Sequence, residues 1–194
     1  MATTLPLLLG SKSPRRQALL NKAGIAYELV AKEVEETFPP GLPPERVSQY
    51  LAELKSRAYL EEAKRGVVIT ADTVVVLGDR LIGKPASDEE AREMLQALSG
   101  STHTVVSGVC LRYRGRWTSF REFTDVEFRE LKPREIDHYL NTYDPKDRAG
   151  SYGVQDYIGL RGVTHIAGDY YNVMGLPVCR LVAELEEFLP EHSF

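Results

Sequence analysis

The run Val67-Val68-Ile69-Thr70-Ala71-Asp72-Thr73-Val74-Val75-Val76-Leu77 constrains this chain more than any other stretch. β-Branched and apolar side chains at this density fit a buried, pleated strand, because their restricted χ1 angles suit a sheet better than a helix. Asp72 is out of place in such a strand. A buried carboxylate is costly unless a partner or a metal compensates it, so Asp72 is expected to be a functional group.

The neighbouring segments alternate between strand and helix patterns. Leu5 to Gly10 reads as a strand, followed by a helix from Ser13 to Ala23 with Ser13 as N-cap, Pro14 at N1 and Gly24 just past its end. Tyr27 to Val30 suggests a second strand. Pro39, Pro40, Pro43 and Pro44 mark an irregular segment, and from Pro44 to Arg65 apolar residues recur at helical spacing. Beyond Val67–Leu77, Gly78-Asp79-Arg80 turns the chain into Leu81-Ile82, and Ser87 caps a helix that Gly100 ends. Strands near His103–Tyr113 and Trp117–Glu130 are joined by Arg114-Gly115-Arg116. Pro133 opens another helix, and the pattern Leu181, Val182, Leu185, Phe188, Leu189 gives a closing one. The expected class is α/β (α+β): a mixed, bent β-sheet flanked by helices. With no repeat and no low-complexity linker, residues 1–194 read as a single domain.

Charge narrows the partners. The chain carries 24 Lys and Arg against 28 Asp and Glu, a net charge of −4. It lacks both bulk positive charge and a basic stripe interleaved with aromatics, so a polynucleotide partner is not expected. No apolar run approaches the roughly 20 residues of a membrane span, and the apolar N-terminus lacks the basic region and cleavage site of a signal peptide. Cys110 and Cys179 form no CxxC pair; both are expected to be buried small hydrophobes in a reducing cytoplasm.

Four constellations carry potential chemistry. Gly10-Ser11-Lys12-Ser13-Pro14-Arg15-Arg16 lies at a strand-to-helix junction, where free N–H groups, two hydroxyls and two guanidinium forks suit phosphate oxygens. The same residues also fit an ordinary capped helix with solvated basic side chains. Glu35-Glu36 is either a solvated face or, with Asp72, a source of oxygen ligands for a divalent cation. Ala71-Asp72-Thr73 is the third, with Lys55 and Lys84 as cations that could neutralise phosphate. The fourth is Asp147-Arg148-Ala149-Gly150-Ser151-Tyr152-Gly153-Val154-Gln155, either a turn-rich loop or one whose glycines let the backbone approach a ligand while Gln155 meets a base edge. His103, His138, His165 and His192 show no metal-ligand spacing and read as structural or surface groups.

Taken together, and in this order, these motifs resemble the Maf family of nucleoside triphosphate pyrophosphatases along nearly the full length. Further matching pieces are Lys55-Ser56-Arg57-Ala58, Gly83-Lys84-Pro85, Leu98-Ser99-Gly100 followed by His103, Thr124-Asp125-Val126 and Tyr171-Asn172-Val173-Met174-Gly175-Leu176-Pro177. The resemblance implies two lobes around a central cleft, in a Maf/ITPase-like fold. It implies hydrolysis of a triphosphate to monophosphate and pyrophosphate, with Asp72 as proton acceptor and Lys55 and Lys84 facing the phosphates. Glu35 and Asp72 would hold a divalent metal (Mg²⁺, Mn²⁺ or Co²⁺), and Ser11, Ser13, Arg15, Arg16, Thr73 and Gln155 would bind or select the substrate. Ala-Asp-Thr with a Gln at position 155 resembles the branch acting on dTTP and UTP; Ser-Asp-Gln marks a branch preferring 7-methyl-GTP. Arg148 stands where many members differ, keeping a positive charge for phosphate contact. Modified nucleotides as substrates, a nucleotide-binding regulator of septum formation without turnover, and a homodimer are the further possibilities that the resemblance brings.

Overall fold

The computed structural model describes residues 5–189; His192 lies outside them. The apolar run forms β3 (Val67–Leu77) over its whole expected length. It pairs along one edge with β5 (Thr102–Tyr113), which pairs in turn with β6 (Arg116–Phe128), both antiparallel. On its other edge β3 meets two short strands. β1 (Leu7–Leu9) runs parallel to Val67–Ile69, and β4 (Arg80–Ile82) antiparallel to Val75–Leu77. Thr70 to Val74 therefore have no strand partner on that edge, and the sheet is open there.

β2 (Glu28–Leu29) adds to β1, and β7 (Val163–Gly168) adds to β6, giving the order β2-β1-β3-β5-β6-β7 with β4 beside β3. Parallel and antiparallel pairs coexist, as expected of a mixed sheet. β7 was not legible, because its Val-Thr-His-Ile-Ala-Gly sequence buries none of its residues fully; an edge strand needs little apolar patterning. The short helices α5 (Tyr157–Gly162) and α6 (Tyr170–Met174) were also unforeseen. At 6 and 5 residues they are too short for helical periodicity to show.

Three helices anticipated from their caps occur as α1 (Pro14–Lys22), α3 (Asp88–Leu98) and α4 (Pro133–Thr142), and the closing helix is α7 (Val178–Phe188). The helical pattern from Pro44 to Arg65 is shorter than expected: α2 (Pro44–Ser56) gives way to two 3₁₀ turns. Cys110 is buried as expected, but Cys179 is exposed, because α7 turns that position away from its Leu181, Leu185 and Phe188 stripe.

Two apolar cores lie along the sheet. One gathers Leu7, Leu9, Val67, Ile69, Ala71, Leu181 and Leu185; the other gathers Val75, Leu95, Leu98, Val126, Phe128, Ile136 and Ile158. Side chains alternate across a strand, so Val67, Ile69, Ala71 and Val75 share a face of β3 that leaves one core and enters the other. Thr73 falls between the cores. The opposite face, with Thr70 and Asp72, is covered by α2, and the Thr70 hydroxyl donates to Ala52 O at 2.7 Å. The open edge thus lies at the boundary of two lobes. Among the described residues no helix is long and apolar enough to cross a membrane.

The seat of α2 depends on Gly108 of β5. A Cβ there would lie 2.3 Å from backbone atoms of Ser48 and Gln49, so Gly108→Ala must push the helix off the sheet. Overpacking against backbone costs about 1–3 kcal/mol or more. Urea unfolding of Gly108→Ala is expected to show at least that loss; stability within about 0.5 kcal/mol of the parent would contradict this packing.

Candidate active site

A cavity of about 560 Å³ opens at the unpaired stretch of β3, with walls from both lobes. Ser11, Ser13, Arg15, Arg16, Lys55, Asp72, Thr73, Lys84 and Gln155 all line it. Sequence positions up to 144 residues apart are thus brought to one site by the gap between β1 and β4.

Asp72 is 9% exposed and accepts a hydrogen bond from Lys55 Nζ at 2.7 Å. The same ammonium lies 2.9 Å from Glu36 Oε1, so one cation bridges two carboxylates. Lys55 reaches the sheet because it falls one turn after Leu51 on the buried stripe of α2. Burial raises the pKa of Asp72 above its ordinary value, and the charges of Lys55 and Arg16 hold it back. A carboxylate in this state is a better proton acceptor than one in water.

Glu35, the expected metal ligand, and Glu36 are both exposed, but of the two only Glu36 lines the cavity. The segment between β2 and α2 has no regular secondary structure, so periodicity carries no signal for which of two adjacent carboxylates turns inward. The acidic partner of Asp72 is therefore Glu36.

Arg16 lines the cavity and is engaged within the protein. Its Nε donates to Gly175 O at 2.9 Å, and its Nη1 donates to Ala71 O at 2.9 Å and Ser11 Oγ at 3.1 Å. Its Nη2 donates to Thr73 Oγ1 at 3.2 Å. Four of the five N–H groups of a guanidinium are so committed. Ala71 O belongs to the open edge of β3, so Arg16 supplies the hydrogen bond that a neighbouring strand would have given. Burial lowers its pKa, opposed by the charge of Asp72. Thr73, on the other face from Asp72, also shares a 2.8 Å hydrogen bond with Ser107 Oγ.

The N-terminus of α1 faces the cavity, with Ser13 as its cap through a long 3.5 Å bond from Arg16 N. Arg15 reaches across to the far wall, donating to Asp147 Oδ1 at 3.0 Å and Asp147 O at 3.2 Å. Arg148 lines the cavity but is not a free cation. It is paired with Asp156 and bonded to the Tyr139 hydroxyl. Lys84 is exposed at the rim and makes no ion pair among the described residues. The Gln155 side-chain oxygen is buried and has no hydrogen-bond partner.

Among the described residues no histidine lines the cavity: His103 is buried, while His138 and His165 are exposed. Asn172, which sequence reasoning took only as part of a motif, is fully buried. Its amide donates to Val105 O at 3.1 Å and Thr124 Oγ1 at 3.0 Å, fixing the turn that presents Gly175 O to Arg16. An uncharged polar residue between two glycine- and proline-containing turns gives little sign of such burial.

The family model described as Maf-like protein matches residues 6–188. This chain belongs to the Maf family. A relative from Phocaeicola vulgatus, named dTTP/UTP pyrophosphatase, is 47% identical over 183 residues, covering 93% of this chain and 95% of its own. A Bacillus cereus relative of the same name is 45% identical over 182 residues, covering 94% and 95%. Among solved structures, the Staphylococcus aureus Ham1 protein aligns at 18% identity and a TM-score of 0.45, over 63% of this chain and 71% of its own. The Maf motifs thus converge on the open edge of β3, where Arg16, Asp72, Lys55 and Lys84 line one cavity.

Arg16→Lys separates a structural role from a phosphate contact. A lysine cannot span Ser11, Ala71, Thr73 and Gly175 together, and hydrogen bonds to a charged group contribute about 1.5–3 kcal/mol each. Unfolding stability is expected to fall by at least about 2 kcal/mol. An Arg16→Lys protein of unchanged stability but raised KM would instead make Arg16 a phosphate contact.

Proposed function

We propose that this Maf protein hydrolyses dTTP and UTP between the α- and β-phosphates, using Asp72 as the proton acceptor for the attacking water. The observation that carries the reading is its 45–47% identity, across 93–94% of the chain, to relatives named dTTP/UTP pyrophosphatase. The buried Asp72, with its pKa raised, supplies what that chemistry needs. A triphosphate repels an incoming nucleophile until its charge is neutralised. Lys55, held between Glu36 and Asp72, and the unpaired Lys84 at the rim are the cations nearest to that task.

The donor set also fits a divalent cation. Among the described residues no cluster of three or more His, Cys, Asp or Glu would hold a metal by itself. Two carboxylates already gathered around one positive charge match Mg²⁺, which is commonly held by one or two carboxylates plus substrate phosphates. Asp72 and Glu36 would hold such an ion (Mg²⁺, Mn²⁺ or Co²⁺), and it would supply further neutralisation of phosphate charge. Asp72 orients the water and takes its proton. Gln155, with its orphaned oxygen in the cavity, presents an amide to the base edge, where uracil and thymine offer an acceptor, a donor and an acceptor. Turnover on nucleotides accounts for the proton-accepting carboxylate at the centre of the site; a regulator that only bound phosphate would gain nothing from it. The reading includes a cytoplasmic location, with both thiols unpaired.

Phosphorus NMR of a UTP reaction is expected to show UMP and pyrophosphate. UDP with orthophosphate would contradict the proposed scissile bond.

Asp72→Asn keeps the shape and removes the base, and is expected to lower kcat by about 10²-fold or more. The base must be unprotonated, so kcat/KM falls as pH drops through the pKa of Asp72. Near-parental turnover in Asp72→Asn would remove Asp72 from this role.

A further inference from the structure

The Tyr152 hydroxyl lies 2.6 Å from His103 Nε2, and both side chains are buried in the second core. Phe128 meets each ring edge-on, at centroid distances of 5.3 Å to His103 and 4.9 Å to Tyr152. The other imidazole nitrogen, Nδ1, is buried without a partner. Burial pushes the imidazole down to about 4, with Asp125 opposing, so it is neutral at neutral pH. Two polar side chains thus share one hydrogen bond in an apolar setting. That arrangement is costly compared with an apolar pair of similar volume, and packing alone gives no reason for it.

The neighbouring chain supplies the reason. Tyr152 follows Gly150 and Ser151, at φ 70° and 60°; the second is a left-handed conformation that a non-glycine residue adopts only when its surroundings impose it. Gly150 N–H donates to Gly83 O at 3.0 Å, beside Lys84. On the other side, Gly153 and Val154 lead to Gln155. The strained segment is therefore anchored in the core at Tyr152, braces the Lys84 loop before that point and carries Gln155 after it.

We propose that the His103–Tyr152 pair is a positioning device that aims Gln155 at the base and Lys84 at the phosphates, setting pyrimidine selectivity without touching the base. The proposal rests on the reading of Gln155 as the base-selecting residue. Tyr152 lines the cavity, but its hydroxyl is held by His103, so that bond acts through the segment it anchors. Its geometry, unlike that of an apolar filler, is fixed by one directional bond.

The test compares kcat/KM for UTP and CTP, with melting temperature, in Tyr152→Phe, His103→Leu, His103→Gln and Gln155→Ala. Loss of the bond is expected to lower the UTP-over-CTP ratio about tenfold in Tyr152→Phe and His103→Leu. His103→Gln should recover much of it, because a glutamine amide reaches the hydroxyl from about where Nε2 stood. An unchanged ratio in Tyr152→Phe, at any melting temperature, would overturn the proposal, as would a His103→Gln protein no more selective than His103→Leu. Gln155→Ala separates the two levels. If it leaves the ratio intact, the reading of Gln155 fails; if it collapses the ratio while Tyr152→Phe does not, only the positioning role fails.

Discussion

The bond from Arg16 to Ala71 O holds open a place that sheets normally close. β3 pairs along one whole edge with β5, but its other edge is shared by β1 at one end and β4 at the other. Backbone groups left between them must find partners or water, and the guanidinium takes Ala71 O at 2.9 Å while also binding Thr73 and Gly175. A third short strand in that position would have satisfied the backbone and filled the cleft. One charged side chain satisfies it and leaves room for a ligand.

The two faces of the open strand then take different roles. Asp72 turns toward α2 and meets Lys55; Thr73 turns toward α1 and the α6–α7 turn and meets Arg16 and Ser107. Lys55 bridging Asp72 and Glu36 offsets one of the two negative charges of the acidic corner. Breaking a paired, buried charge is more damaging than replacing the pair, which gives the corner a structural reason to keep its lysine. The close approach of α2 to β5 at Gly108 sets how far Lys55 must reach. Helix packing and an intramolecular ion pair therefore meet at one carboxylate.

Much of this was legible because β-branched density, caps and turn residues speak locally. The bounds of β3 follow from Val67 and Leu77, and Ser13, Pro14 and Ser87 mark helix starts that the structure keeps. Asp72 stood out because its charge contradicts its surroundings. What escaped were features that tertiary partners decide. Glu35 and Glu36 are equivalent in sequence, and an irregular segment turns the second one inward. The contacts of Arg16 with Ala71 O and of Arg148 with Asp156 join residues distant in sequence or in a turn-rich loop, so no local pattern announces them. The inward side of Cys179 was a matter of helix phase, and β7 is an edge strand without a buried face. The buried bond between His103 and Tyr152 joins residues 49 apart, beyond any local pattern.

The decisive measurement is a crystal structure with a UTP analogue whose α–β bridge resists hydrolysis, grown with Mn²⁺. The triphosphate should cross the cleft at Thr70–Val74, with the α–β bridge beside Asp72 and Arg16 still bonded to Ala71 O. A triphosphate bound away from Asp72, or an Arg16 that leaves the strand edge to grip phosphate, would contradict the account.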